Sequence, residues 1–150
     1  MKIYSLIFAL LFTNALFSQD SEEKLVEETV NQLFDGMKKS NGNIVKNLFH
    51  SDASLSSIYT DKEGNTIKKN EELDGFITAI STPHAEMWDE RISNLTVEID
   101  ENLAIAWMDY SFFIDSNFSH CGVNSFQLIK IENEWKILSI IDTRRRNNCN

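Results

Sequence analysis

The sequence predicts one α+β domain in which three helices from the first half of the chain pack on a cone-shaped, curved antiparallel sheet. Apolar residues recur at helical spacing early in the chain, whereas residues 86–143 contain four long runs typical of strands. One proline and five glycines in 150 residues leave no composition typical of a linker. A sheet of this size must bury one face against the helices, and long twisted strands covered by few helices curl around a cavity.

Three helices are expected before the long strands. The first begins after Asp20 or Ser21, either of which can cap it, and ends near residues 40–42. The second covers residues 44–49, and Asn70 is the expected cap of the third. The apolar stripes comprise Leu25, Val26, Val30, Leu33, Phe34 and Met37 in the first helix and Leu73, Phe76, Ile77 and Ile80 in the third.

The strand signals fall into two groups. A small hairpin is expected from residues 55–60 and 66–68, joined by a turn that contains Gly64. Four long antiparallel strands then follow, at residues 86–99, 103–114, 121–131 and 135–143.

The first 18 residues have the layout of a secretory signal peptide. Lys2 precedes an apolar run at residues 3–12, which is too short to span a bilayer comfortably. We expect cleavage near Ser18, a secreted or periplasmic location, and a single domain at residues 20–149 that has no membrane association after cleavage. An uncleaved membrane anchor is the alternative.

Composition and charge exclude further classes of function. Hydrophobic residues make up 42% of the chain, which argues against disorder. With 14 Lys and Arg against 23 Asp and Glu, the net charge is −9, so a nucleic-acid partner is not expected.

Four short stretches and the order of the elements resemble the nuclear transport factor 2-like (NTF2-like) superfamily. The stretches are LFHSDA at residues 48–53, MWDERI at 87–92, SHCGVNSF at 119–126 and WKI at 135–137. The resemblance covers residues 22–149 and is closest to the SnoaL-like and putative lumazine-binding types, among small secreted proteins of Bacteroidetes-type bacteria. It implies a cystatin-like roll, but it specifies no activity because this fold hosts enzymes, binding modules and assembly domains alike.

The last hairpin predicts a second covered surface. A turn at Asn133 and Glu134 would place Phe126 opposite Ile141, and both faces of the sheet would then be substantially apolar. The helices can cover only one face, so we expect a homodimer through the outer sheet face. The superfamily commonly pairs through that face.

The register of the preceding hairpin stays open. If Asp115 pairs with Phe118, Trp107 and Asp109 lie on the face that holds Asn124. One β-bulge would reverse this arrangement. It would place Met108, Tyr110 and Phe112 on that face instead.

Three titratable residues are candidate catalytic groups: His120 at the start of a strand, and Asp109 and Asp142 within apolar strands. A carboxylate facing an apolar cavity has a raised pKa and can act as a base. The structural alternatives are a hydrogen-bonded histidine at a strand end, solvent exposure of Asp109, and an ion pair between Asp142 and Arg144. The histidines lack metal-ligand spacing, so neither a metal nor another cofactor is expected.

Aromatic side chains on the strands, together with Asn124, are candidate contacts for a flat ligand. Arg144, the first residue of an arginine run, could hold an anionic ligand or a carboxylate of the partner subunit. Ordinary core packing is the alternative for each aromatic residue, and a solvated strand end is the alternative for the arginine. The candidates are Tyr59, Trp88, Trp107, Tyr110, Asn124, Phe126 and Arg144.

Cys121 and Cys149 are the only cysteines. In the expected register Cys121 lies opposite Arg146, three residues before Cys149, so a disulfide is within reach if the tail curls back. A reactive thiol beside His120 is the alternative.

These observations support three hypotheses about function. The first is an exported domain that binds a small apolar or aromatic molecule without a defined reaction. The alternative is an isomerase, cyclase or dehydratase of the SnoaL or ketosteroid isomerase type that acts through a buried Asp or His. The third is a structural dimerisation module whose cavity is filled by Phe and Trp side chains.

Overall fold

The computed structural model describes residues 22–82 and 85–149. The predicted signal peptide, its cleavage near Ser18 and the expected caps Asp20 and Ser21 lie outside the described residues. Within those residues the helices are α1 (22–38), α2 (Gly42–Leu48) and α3 (Leu73–Ser81). None of these helices is long and apolar enough to cross a membrane.

Six strands form one curved sheet behind the helices, in the spatial order β2-β1-β6-β5-β4-β3. The α+β fold class with a cystatin-like roll is confirmed. The strands are β1 (Phe49–Thr60), β2 (Thr66–Glu71), β3 (Trp88–Asp100), β4 (Leu103–Ile114), β5 (Asn117–Ile131) and β6 (Glu134–Arg144).

The sheet differs from the prediction in one pairing, because β1 and β6 run parallel whereas every other neighbouring pair is antiparallel. Parallel neighbours need a long crossover connection, and here the chain from β2 to β5 supplies it. The sheet is therefore mixed rather than purely antiparallel.

Helix α1 buries the predicted stripe, from Val26 to Met37, against the sheet. Only Leu25 of that stripe is substantially exposed. Glu22, at the first described turn, accepts hydrogen bonds from Lys130 Nζ at 2.6 Å and Trp135 Nε1 at 3.0 Å. These contacts fix the start of α1 on β5 and β6.

The short helices are capped differently from each other. Asn41 caps α2, because its side chain accepts a hydrogen bond from the backbone N–H of Ile44 at 3.1 Å. The prediction that Asn70 caps α3 is wrong: Asn70 belongs to β2, where it pairs with Ser56, and Glu72 stands at the cap position without a side-chain cap bond.

Irregularities in the strand pairing, two of them on β5, determine which side chains face the helices. A bulge in the β4–β5 pairing, between Phe112 and Phe113, selects the alternative that turns Tyr110 towards the helices and leaves Trp107 on the convex face. A second bulge lies in the β5–β6 pairing between Gln127 and Leu128, opposite the unpaired Leu138 of β6.

The last hairpin turns at Glu132 and Asn133, one residue earlier than predicted. Both residues have positive φ, of 50° and 67°, as a two-residue type I′ turn requires. Together with the second bulge, this turn pairs Phe126 with Ile140 instead of Ile141.

The predicted disulfide between Cys121 and Cys149 is present, with Cα atoms 5.8 Å apart. Backbone hydrogen bonds of 2.9 Å in both directions pair Cys121 with Arg145, one residue from the predicted Arg146. Since both sulfurs are bonded to each other, the alternative of a reactive thiol beside His120 is not the arrangement seen. The bond ties the tail to the start of β5.

Candidate functional site

The concave face of the sheet and helices α1 and α3 enclose a cavity of about 310 Å³. Its helical wall is apolar, with Leu33, Phe34 and Met37 from α1 and Phe76 from α3. The strands contribute further aromatic residues and almost all of the polar groups. A cavity with this volume and lining is typical of a small-molecule site.

Asp142 is the centre of a hydrogen-bonded group on the sheet side of the cavity. Ser57 donates from Oγ to Oδ1 at 2.6 Å, and Arg144 donates from Nε to Oδ2 at 2.8 Å. The Tyr110 hydroxyl lies 3.1 Å from Oδ2. The ion pair with Arg144, considered above as a structural role for Asp142, is thus present, and both carboxylate oxygens have protein donors.

The single hydroxyl proton of Tyr110 lies between two acceptors, because the carbonyl oxygen of Thr143 is 2.9 Å from the same hydroxyl. Burial, followed by the negative charges of Asp142 and Glu90, raises the pKa of Tyr110 above its usual range. Tyr110 is therefore a hydrogen-bond donor and stays protonated at neutral pH.

The position of the Tyr110 ring depends on Gly122, its cross-strand neighbour. A Cβ atom at residue 122 would overlap the carbonyl oxygen of Thr143 and would lie 2.7 Å from Cε1 of Tyr110. Glycine is therefore required here because another backbone and a ring approach closely.

Sequence reasoning missed two titratable groups of the cavity, the exposed Glu71 and the less exposed Glu90. The Glu90 carboxyl accepts a hydrogen bond at Oε1 from Nδ2 of Asn124 at 2.7 Å. Burial raises its pKa to about 7, the charge of Asp142 adds to this effect, and the Asn124 hydrogen bond and the Arg144 charge oppose it. The carboxyl therefore exchanges its proton close to neutral pH.

The parity of β3 explains why Glu90 was missed. In the second half of the strand the odd-numbered residues Leu95, Val97 and Ile99 face inward. An irregularity between Ser93 and Thr96 reverses that parity. The residues that face inward before it are Trp88, Glu90 and Ile92. The only sequence signal was the place of Glu90 in the stretch at 87–92 that carried the family resemblance.

His120 lies against two aromatic rings on the concave face. Its ring centroid is 5.1 Å from that of Phe112 and 5.7 Å from that of Tyr110. Its Nδ1 is 3.0 Å from Oγ of Ser119. Burial, and secondarily the charge of Arg144, lowers the pKa of His120, so the ring is neutral at pH 7.

The candidate residues from the sequence divide between the two faces of the sheet. The residues that the structure brings together around the cavity are Trp88, Tyr110, His120, Asn124, Phe126, Asp142 and Arg144. Trp107 and Asp109 lie on the convex face instead, because the β4–β5 bulge sets their parity. Tyr59 pairs with Arg144 in the β1–β6 register but does not line the cavity.

In the described part of the chain, no group of three or more His, Cys, Asp or Glu side chains is placed to hold a metal ion.

The chain is similar in sequence to one protein family and in fold to several solved structures. The family described as putative lumazine-binding matches residues 21–141, whereas no curated protein matches the chain. An NTF2-like protein of unknown function from Shewanella baltica has a TM-score of 0.62 and 19% identity, over 85% of this chain and 96% of that one.

Two structures from Novosphingobium aromaticivorans are also similar. An NTF2-like protein with a cystatin-like fold has a TM-score of 0.68 and 12% identity, over 92% of this chain and 90% of that one. A putative scytalone dehydratase has a TM-score of 0.67 and 13% identity, over 87% of this chain and 88% of that one. At these identities the similarity establishes the fold and no activity.

Proposed function

The chain belongs to the putative lumazine-binding family of the NTF2-like superfamily, and from this premise we propose that it binds a small, largely apolar or aromatic molecule in the cavity. The observation that carries the proposal is the cavity of about 310 Å³, with an apolar wall and a few convergent polar groups. Because side chains do not fill this cavity, the hypothesis of a structural dimerisation module with a filled cavity is disfavoured.

A pair of variants on α3 tests the proposal. Ala79 lines the cavity, so Ala79→Trp fills it, whereas Thr78→Trp places the same bulk on the exposed side of the helix. A library of monocyclic and bicyclic aromatic fragments is screened by ligand-observed NMR against both variants and the unaltered protein. We expect fragments that bind the unaltered protein and Thr78→Trp but not Ala79→Trp. Fragments that bind all three proteins equally would place binding elsewhere and contradict the proposal.

A second candidate function is acid–base catalysis, as in an isomerase, cyclase or dehydratase. The observation that favours it is the Glu90 carboxyl, whose pKa of about 7 suits proton transfer at neutral pH. The test incubates each cavity-binding fragment with the protein and follows double-bond migration or loss of water by mass spectrometry and NMR. Turnover that disappears in Glu90→Gln supports catalysis, and unchanged fragments support binding alone.

Export to a secreted or periplasmic location is part of the same proposal. The disulfide suits an oxidising compartment, and the apolar segment at residues 3–12 supplies an export signal. The mass of the protein isolated from its own cells tests this: cleavage near Ser18 supports export, and an intact Met1 contradicts it.

We also propose that the protein forms a homodimer through the convex face of the sheet. Large apolar side chains there are between 39 and 54% exposed, and a second copy is the partner whose matching apolar face covers them in a closed, two-fold arrangement. They are Leu103, Ile105, Trp107, Ile131 and Ile141. Light scattering at micromolar concentration should give twice the chain mass, and Trp107→Glu should give a folded monomer. A monomeric unaltered protein would contradict this proposal.

A further inference from the structure

The charges that line the cavity are unequal. Within residues 22–82 and 85–149, three carboxyl groups line it, those of Glu71, Glu90 and Asp142, against the single guanidinium of Arg144. That guanidinium already lies 2.8 Å from Asp142. The remaining basic side chain, His120, is neutral because burial lowers its pKa. The cavity therefore has more negative than positive groups to offer a ligand.

Glu71 is exposed at the end of β2, so Glu90 is the less solvated of the cavity carboxyls that have capacity for a ligand. Asp142 has protein donors on both oxygens, whereas within residues 22–82 and 85–149 Glu90 has one donor, Nδ2 of Asn124, which bonds Oε1. The other oxygen, Oε2, has no such donor, and the Glu90 side chain lines the cavity. A carboxylate in such a place is costly unless a hydrogen-bonded opposite charge accompanies it.

Aromatic rings stand beside this carboxyl. Phe112, on β4, is the cross-strand partner both of Glu90 on β3 and of His120 on β5. Its side chain therefore lies between the other two in one row of the sheet. Trp88 packs edge-on against Phe112, with ring centroids 6.4 Å apart. Aromatic faces attract cations, by about 0.5–2 kcal/mol depending on desolvation.

We propose that the ligand of this cavity is a monocationic amine, with its ammonium group bound by Glu90 beside Trp88 and Phe112 and its apolar body against α1 and α3. This inference rests on the proposed function, because it identifies the chemical class that the same cavity binds. An ammonium group brings both the donors and the positive charge that Glu90 lacks. A carboxylate ligand would instead add another negative charge near Asp142.

Binding of such an amine releases a proton from Glu90. In the ligand-free protein Glu90 has a pKa of about 7, so part of the population is protonated at pH 7, whereas the amine-bound carboxyl is ionised. A fraction of a proton is then released for each amine bound at pH 7. The neighbouring groups that influence this step are Asp142 and Arg144 on β6, His120 and Asn124 on β5, Tyr110 on β4 and Glu71 on β2.

Three probes of one shape and different charge test the inference: 2-phenylethylamine, 2-phenylethanol and phenylacetate. Calorimetry at pH 7, in phosphate and in MOPS, which differ in ionisation enthalpy and contain no primary amine, gives affinities and the number of protons released. We expect the amine to bind at least about tenfold tighter than the alcohol and phenylacetate to bind weakest. Proton release should accompany the amine alone.

Two carboxyl variants separate the local effect from overall charge. Glu90→Gln should lower amine affinity at least about tenfold and leave the affinity for 2-phenylethanol unchanged. Asp109→Asn removes one negative charge from the convex face, where Asp109 accepts a hydrogen bond from Asn94, and should leave amine affinity unchanged. Thermal unfolding confirms that both variants are folded.

The outcomes distinguish this inference from the function on which it rests. Tighter binding of the alcohol or of phenylacetate, or equal loss of amine affinity in the two variants, overturns the amine and leaves the cavity as a ligand site. The amine is also wrong if none of the three probes binds while aromatic fragments still do, with Ala79→Trp blocking them. If neither the probes nor the fragments bind, the proposed function itself is wrong.

Discussion

Asn124 on β5 donates a hydrogen bond from Nδ2 to Oε1 of Glu90 on β3, over 2.7 Å and across the intervening strand β4. The bond gives the carboxyl one orientation inside an apolar cavity. It also satisfies a single oxygen, so the protonation state of Glu90 depends on burial and on the charges beside it.

Replacing Glu90 with Gln should alter the pH dependence of stability. The pKa of Glu90 is about 7 in the folded protein, against 4.5 for the free side chain. Between these values the folded state retains a proton that the unfolded chain has lost, so the free energy of unfolding falls as pH rises. The decrease is about 3 kcal/mol by pH 7, at most. Glu90→Gln keeps the acceptor for Asn124 and removes this decrease.

Urea unfolding between pH 4 and pH 8 measures the effect. Glu90→Gln should have almost the stability of the unaltered protein below pH 4.5 and exceed it increasingly up to pH 7. Glu98→Gln, an exposed position on the same strand, should show no such pH-dependent gain. A constant difference between Glu90→Gln and the unaltered protein at every pH would contradict the raised pKa.

Adding one methyl group at Gly122 should be severely destabilising. The new Cβ would overlap the carbonyl oxygen of Thr143 and press on the Tyr110 ring. We expect a loss of about 3 kcal/mol or more. Gly75→Ala, on the open side of α3 where a Cβ meets no atom within 4 Å, should instead gain about 0.5–1 kcal/mol. Equal effects of the two substitutions in urea unfolding would refute the close approach at Gly122.

Loss of the disulfide should lower stability by about 3–4 kcal/mol, the loop-closure value for cysteines 28 residues apart. Cys149→Ser should have a lowered urea midpoint, and dithiothreitol should bring the unaltered protein to the same midpoint. The variant itself should not respond to the reductant. Two free thiols in the oxidised, unaltered protein, counted by mass after alkylation, would show that the bond is absent.

Removing the Tyr110 hydroxyl should cost about 1–2 kcal/mol, because buried Asp142 loses one of its donors. Tyr110→Phe keeps the ring against His120, so the cavity should retain its shape. Tyr59→Phe, outside the cavity, is the control and should cost less. A double-mutant cycle with Ser57→Ala should show coupling, since both hydroxyls bond Asp142. Strictly additive losses would mean that the two hydrogen bonds are independent.

Periodicity predicted the parts of the fold that depend on burial alone. The α1 stripe that includes Val30 and Leu33 is buried as expected, and the tail returns to Cys121 because antiparallel pairing brings residue 145 opposite it. The positions of the bulges were not predictable. A bulge leaves no signal in the amino-acid composition of the strand, but it exchanges the two faces of the strand beyond it.

The candidate site shows the same division. Asp142, Tyr110 and Asn124 were candidates that the cavity contains, whereas Trp107 was placed there by the register without the bulge. Glu90 was missed for the same physical reason on β3, where the irregularity after Ser93 reverses the parity. Side-chain alternation thus located the sheet, but the detailed lining of the cavity required the pairing of every strand.

The parallel pairing of β1 with β6 has a consequence for how the chain acquires its structure. Among the described strands, the β1–β2 hairpin shares hydrogen bonds with the rest of the sheet only through β6, the last of them in sequence. Ser57 and Asp142, which meet across this junction, are 85 residues apart. Contacts of such long sequence separation form slowly, because a large loop must close first. A nascent chain therefore reaches its cooperative fold only after its C-terminal hairpin has emerged, and a shortened chain without that hairpin would leave two disconnected fragments of sheet.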